Sequence, residues 1–177
     1  GFSRFEPNDE TVSCAGLPMV SVGDTAPDFS APVAAGDIEP ITLSDRVGEG
    51  PIVLAFFPGA FTSTCTDELC TFRDEMAAFN DVGAMVYGVS VDTPFSLEEF
   101  RDRHDRQFGL VSDHTKDIID AYDVSMDFAD LGYHGVAKRS VFVIDEDGDI
   151  SYKWVSDDPG VEPDYAAVEQ AAADAAR

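Results

Sequence analysis

The chain has 177 residues, 44% of them hydrophobic, and carries 35 acidic against 11 basic side chains for a net charge of −24. That is enough chain for one domain with a sizeable core, and an acidic excess of this size disfavours nucleic acid and anionic membrane as partners, since both would be repelled. No apolar run has the length of a membrane span, and the first residues lack the apolar stretch of a signal peptide. The expectation is therefore a soluble, cytoplasmic protein without nucleic-acid or membrane contacts. The acids are spread over periodic helices and turns, not collected in a tail, and there are only three lysines: Lys116, Lys138 and Lys153. Such a solvated acidic surface suits high salt, where screening suppresses self-repulsion. Three cysteines at uneven spacing (Cys14, Cys65 and Cys70) do not make a structural disulfide framework and fit redox chemistry in a reducing compartment better.

In chain order, residues 1–18 are polar and without period and read as a flexible N-terminal extension, with Cys14 a bystander thiol; residues 19–177 read as a single domain. Ala26 to Pro40, with its prolines and glycine, is expected as loop with short strands at the core edge. Ile41-Thr42-Leu43 alternates as a short strand would, and Ser44 to Gly50 is a turn region. Ile52 to Phe57 is short and continuously apolar, the pattern of a strand buried on both faces. Leu69, Phe72, Met76 and Phe79 recur at three and four, which predicts one helix over about Thr66 to Asn80. Ala84 to Val91 is a second buried strand, completing a strand–helix–strand unit with parallel strands.

Thr93 and Pro94 then cap a helix whose inner face is marked by Leu97, Phe100 and His104. Leu110 to Ser112 is a short strand and Lys116 to Tyr122 a short helix. Asp123 to Val136, with Gly132 and Gly135, reads as irregular and leads to Arg139. Val141 to Ile144 and Ile150 to Val155 form a hairpin across an Asp/Gly-rich turn, and Asp164 to Ala175 is an alanine-rich helix.

Cys65 stands where the strand at Ile52 gives way to the helix. A thiol in a first helical turn meets unpaired N–H groups and the positive end of the helix dipole, which favour its thiolate. Asp67 and Glu68 act against this, so a working thiolate at Cys65 requires the fold to bring it a cation. As a small core residue instead, Cys65 would be inert, which suits its hydroxyl neighbours Thr62, Ser63 and Thr64 poorly.

The spacing Pro58-x-x-x-Thr62-x-x-Cys65, with Glu68 three residues on, resembles the peroxidatic signature of the peroxiredoxins. Lys138-Arg139-Ser140-Val141-Phe142-Val143-Ile144-Asp145 is similar to the segment that carries their distal arginine, and Val22-Gly23-Asp24 with Ala26-Pro27-Asp28-Phe29 looks like their usual beginning. Ala60-Phe61-Thr62 and Tyr152-Lys153-Trp154 are similar to the one-cysteine alkyl hydroperoxidase branch. Cys65-Thr66-x-Glu68-x-Cys70-x-Phe72-Arg73-Asp74 is similar to the bacterioferritin-comigratory-protein branch, whose resolving cysteine lies five residues after the first.

The resemblance implies a thioredoxin-like α/β fold with an N-terminal elaboration and a central mixed sheet flanked by helices, to which the order of elements conforms. It also implies a thiol-dependent peroxidase with Cys65 as nucleophile. In that role Thr62 donates to the peroxide, Pro58 shields the pocket, Arg139 stabilises the charges and Glu68 anchors Arg139. Taken alone, Arg139 is equally a solvated residue at a strand start and Glu68 a helix-start acid.

Cys70 either resolves the sulfenic acid or leaves that to an outside thiol. Residues five apart in an intact helix are rotated by about 140° and separated by about 7.5 Å along the axis, beyond disulfide reach, so a Cys65–Cys70 bridge requires the first turns to unwind. The implied partners are a peroxide, a thioredoxin-like or low-molecular-weight thiol reductant, and a second copy in a homodimer or larger assembly. No metal, haem or flavin is implied, and His104, His114 and His134 have no metal-ligand spacing. Two rivals remain at this point: a thioredoxin-like disulfide oxidoreductase, whose Cys-x-x-Cys is absent, and a redox-regulated holdase or adaptor.

Overall fold

The computed structural model describes residues 20–104 and 108–176; the extension at 1–18 and Cys14 lie outside them. The described residues form strands β1 (Ser30–Ala34), β2 (Ile38–Thr42), β3 (Ile52–Phe56), β4 (Met85–Ser90), β5 (Gly109–Ser112), β6 (Ser125–Phe128), β7 (Tyr133–Ala137), β8 (Ser140–Ile144) and β9 (Ile150–Val155). The helices are α1 (Ser63–Asp74), α2 (Met76–Asp81), α3 (Pro94–Arg103), α4 (Asp117–Ala121) and α5 (Tyr165–Ala175). Seven strands make one mixed sheet in the order β2-β1-β5-β4-β3-β8-β9, and β6 and β7 pair separately.

β3 is parallel to β4 and antiparallel to β8, so it lies in the middle of the sheet. Its side chains alternate between two cores, as a strand covered on both faces must. Val53 and Ala55 face α1, α2, α3 and α5 through Leu69, Phe72, Phe79, Leu97, Phe100 and Val168. Leu54 and Phe56 face α4 and β7 through Ile118, Ile119, Tyr122 and Val136. Among the described residues, no helix is long and apolar enough to cross a membrane.

Three expectations are corrected, and one is made specific: the short strands expected at the core edge within Ala26 to Pro40 are β1 and β2, which pair as a hairpin at the sheet edge. Pro32 pairs with Pro40 there, a position where neither strand needs an N–H donor. The strand expected at Ile41 to Leu43 starts earlier, at Ile38, and Leu43 has already entered a single 3₁₀ turn.

The helix expected over Thr66 to Asn80 starts three residues earlier and is interrupted. Glu75 leaves helical geometry (φ −98°, ψ 5°) and separates α1 from α2, while the apolar stripe continues across the break, with the Phe72 and Phe79 rings 5.9 Å apart. Asp123 to Val136 is not irregular either. It holds the β6–β7 hairpin, in which Gly135 takes the left-handed φ of 65° and its N–H donates to Asp127 Oδ1 at 2.8 Å.

Candidate active site

Cys65 is the third residue of α1 and 1% exposed. Two features fix the entry to this helix. Phe61 adopts a left-handed φ of 66°, a costly conformation for an aromatic residue and one that concentrates at functional turns; its ring packs edge-on against Phe100 at 5.0 Å. Asp92 Oδ2 accepts from the Ala60 N–H at 2.8 Å and from Ser90 Oγ at 2.7 Å, tying the turn to the end of β4. The N–H groups of Ser63, Thr64 and Cys65 have no carbonyl four residues back within the helix, so they are donors at the positive end of its dipole.

The cation comes from the neighbouring strand. Phe56 pairs with Ser140 at the start of β8, so Arg139 arrives beside the exit of β3. It is buried, not solvated, at 1% exposure. Its Nη2 donates to Cys65 Sγ at 2.7 Å, its Nε to the Pro159 carbonyl at 3.0 Å, and its Nη1 to Glu68 Oε2 in a buried ion pair. Burial alone would weaken the guanidinium's charge, but Glu68 and Cys65 offset that and hold its pKa above the ordinary value. Burial pushes Glu68 up to about 7 even against the pull of Arg139, and Glu162 adds to the rise.

Cys65 forms the floor of a cavity of about 240 Å³. Pro58, Thr62 and Arg139 line it, as do Phe128, Leu131 and Tyr133 from the β6–β7 hairpin. The structure thus brings Cys65, Arg139, Glu68, Thr62 and Pro58 together. Thr62 departs from its expected role in one respect: its hydroxyl proton goes to the Gly59 carbonyl at 3.0 Å. With its proton so directed the oxygen can accept from a ligand, and donation requires the hydroxyl to turn about its Cβ–Oγ bond.

Cys70 is half-buried and unpaired, and it lies on the same unbroken α1 as Cys65. The histidines belong to separate elements, with His104 at the end of α3, its ring 4.7 Å from Phe100, and His134 exposed near Asp127. Among the described residues, a larger hollow of about 630 Å³ beside Phe95 and His114 is lined by no thiol.

Two contributors were not read from the sequence. Tyr133 lies across the cavity from the entry turn, its hydroxyl 3.2 Å from where a Cβ on Gly59 would sit, and burial, Asp92 and Cys65 raise its pKa. Its only signal was its nearness to Arg139 in the chain. The Pro159 carbonyl had none beyond the Pro159-Gly160 turn.

The model of the AhpC/TSA family matches residues 22–153. The chain belongs to the AhpC/TSA family. It is 34% identical over 137 residues to the putative peroxiredoxin bcp of Coxiella burnetii, covering 76% of this chain and 88% of that one. Peroxiredoxin Bcp of Bacillus subtilis is also 34% identical over 137 residues, covering 76% and 85% of the two chains. The crystal structure of peroxidoxin BcpB from Mycobacterium tuberculosis superposes with a TM-score of 0.76 at 31% identity, covering 89% of this chain and 99% of that one. This peroxiredoxin therefore has the thioredoxin-like α/β fold that the resemblance implied, with β1 and β2 as its N-terminal elaboration. The Bcp relatives bear on the branch that the motifs left open.

Proposed function

We propose that this peroxiredoxin reduces hydrogen peroxide and organic hydroperoxides to water and alcohols with Cys65 as the nucleophile. The observation that carries the assignment is the Arg139 guanidinium donating to Cys65 Sγ at 2.7 Å on the floor of a cavity. A thiolate attacks the terminal peroxide oxygen, the S–O bond forms as the O–O bond breaks, and the sulfur becomes a sulfenic acid. Negative charge moves from sulfur to the leaving oxygen. Fixed donors aimed at that path stabilise it without reorganising. Arg139 and the first-turn N–H groups of α1 are such donors.

The sulfenic acid then condenses with a thiol to a disulfide and water, and a thiol reductant returns the electrons. Cys70 is the resolving thiol we favour, given its spacing from Cys65 and the chain's similarity to Bcp proteins. A thioredoxin-like protein or a low-molecular-weight thiol is the reductant class, and the reaction belongs in a reducing, cytoplasmic compartment. A homodimer or larger assembly would cover exposed apolar side chains such as Phe61 and Phe95, which analytical ultracentrifugation tests. Cys65→Ser should abolish peroxide consumption, while Cys70→Ser should leave the first oxidation intact. Normal turnover by the Cys65→Ser protein would remove the assignment.

A further inference from the structure

Three ionisable side chains sit in a row inside this site, each no more than 1% exposed: Cys65, Arg139 and Glu68. One guanidinium serves both of the others, through Nη2 to Sγ and through Nη1 to the Glu68 carboxyl. The other titratable groups facing Glu68 are Glu162, from the loop before α5, and Tyr165 of α5, whose hydroxyl donates to Glu162 at 2.6 Å. They add negative or neutral groups and, among the described residues, no second cation.

Charge counting then fixes the state of the row. With a thiolate and a carboxylate on one arginine, a net negative charge is left in the protein interior, which is costly. Two acids competing for one cation keep a proton between them. Peroxide attack needs the thiolate, so the proton falls to Glu68. The carboxyl itself agrees. Its Oε1 is buried and finds no hydrogen-bond partner among the described residues, the setting in which an anionic oxygen is least stable. Its pKa of about 7 has the same cause.

We propose that Glu68 is a proton store worked through Arg139: it holds a proton while Cys65 is a thiolate and gives it up when oxidation removes that charge. The inference rests on Cys65 being the nucleophile. Before the reaction the site holds a thiolate and a carboxylic acid. The sulfur loses two electrons to the peroxide, one peroxide oxygen stays on sulfur with its hydrogen, and the other leaves as hydroxide or alkoxide. Arg139 is then free to pair fully with Glu68, which ionises. The proton it gives up balances the one taken by the leaving oxygen. Afterwards the site holds a sulfenic acid and a carboxylate, with the same net charge, and solvent has supplied no proton.

The test is a proton count. Protein with Cys14→Ser and Cys70→Ser, which stops at the sulfenic acid, is mixed with one equivalent of hydrogen peroxide in weak buffer with a pH indicator, at a pH a little below 7. Proton uptake is read against the loss of thiolate absorbance. Uptake near zero is expected with Glu68 present, and about one proton per thiolate oxidised when Glu68→Gln is added, because a proton no longer held by the site must come from solvent. Glu68→Asp should return uptake toward zero, which a purely structural anchor has no reason to do. Equal uptake with and without the carboxyl overturns the proposal.

If Glu68→Gln does not fold, infrared difference spectra of the Glu68 protein decide. A protonated-carboxyl stretch must be present in the reduced state and vanish with oxidation, and its absence or persistence overturns the proposal. Peroxide consumption by Cys65→Ser would instead strike at the nucleophile assignment, so the two failures are distinguishable.

Discussion

Arg139 commits its three nitrogens to two segments: Nε to the loop before α5, and Nη1 and Nη2 to Glu68 and Cys65 of α1. A lysine offers one point charge where these partners need a planar fork. Arg139→Lys should therefore slow oxidation of Cys65 by about 10²-fold, the scale for losing one preorganised donor, as read by stopped-flow. Arg139→Ala should in addition destabilise the fold by about 1–3 kcal/mol for each buried acceptor left without its donor, the Glu68 carboxyl and the Pro159 carbonyl.

At the mouth of the cavity, Leu131 is 78% exposed and offers apolar surface to a substrate's organic substituent. Leu131→Ser should lower the rate with cumene hydroperoxide by about 2–5-fold while sparing hydrogen peroxide, which has no apolar part to bind. Cys65 was legible from its place among hydroxyl residues at a helix start, whereas Thr62 and Arg139 were singled out by the family resemblance, since residue type alone leaves an arginine at a strand start solvated. The Pro159 carbonyl was not legible, since any residue carries a carbonyl and only the tertiary path of the loop aims it at Arg139.

Among the elements, α1 makes the most specific demand. It runs unbroken through both Cys65 and Cys70, and helix geometry keeps residues five apart out of disulfide reach. If Cys70 resolves, oxidised protein should exchange amide hydrogens faster over residues 62–73 than elsewhere. A stable sulfenic acid beside a free Cys70, with unchanged exchange, would leave resolution to an outside thiol.

The break at Glu75 carries a pH signature. Burial and the nearby Glu169 carboxyl raise its pKa from an ordinary 4.5 to about 7. Between those values the folded chain holds more protons than the unfolded one, so this group's contribution to stability is lost as pH rises through the window. Glu75→Gln should thus raise Tm at pH 8, by about 2 °C for a half-buried site in a chain of this size, and much less at pH 4.5. An equal shift at both would mean that the carboxyl pair is not the cause. The break was hidden in the sequence because the apolar stripe passes through it without a change of period. The β6–β7 hairpin was hidden because its strands are short and its glycines punctuate as a loop's would.

For the molecule as a whole, the charge of −24 is the dominant electrostatic fact. Screening lengths fall from about 10 Å at 0.1 M salt to 3 Å at 1 M, so self-repulsion should weaken and Tm should rise with sodium or potassium chloride through the molar range. A flat or falling curve to 2 M would discard the high-salt reading and leave the chemistry untouched. The βαβ unit, the β8–β9 hairpin and the capped helices were legible because each is a local pattern. The order of strands was less so: β5 lies between β1 and β4, and that arrangement follows from nonlocal pairing.

The pairing of β3 with β8 also has a kinetic side. Cys65 and Arg139 stand 74 residues apart in sequence and meet only when these two strands are in register. Contacts of such separation bear a large loop-closure cost and tend to form late. During refolding the thiol should thus pass through a period in which the chain is compact yet slow toward peroxide, and fast reactivity should switch on only with the closing of this central pair. Nucleophile speed, sampled by brief peroxide pulses along a refolding time course, becomes a clock for the last step of sheet assembly.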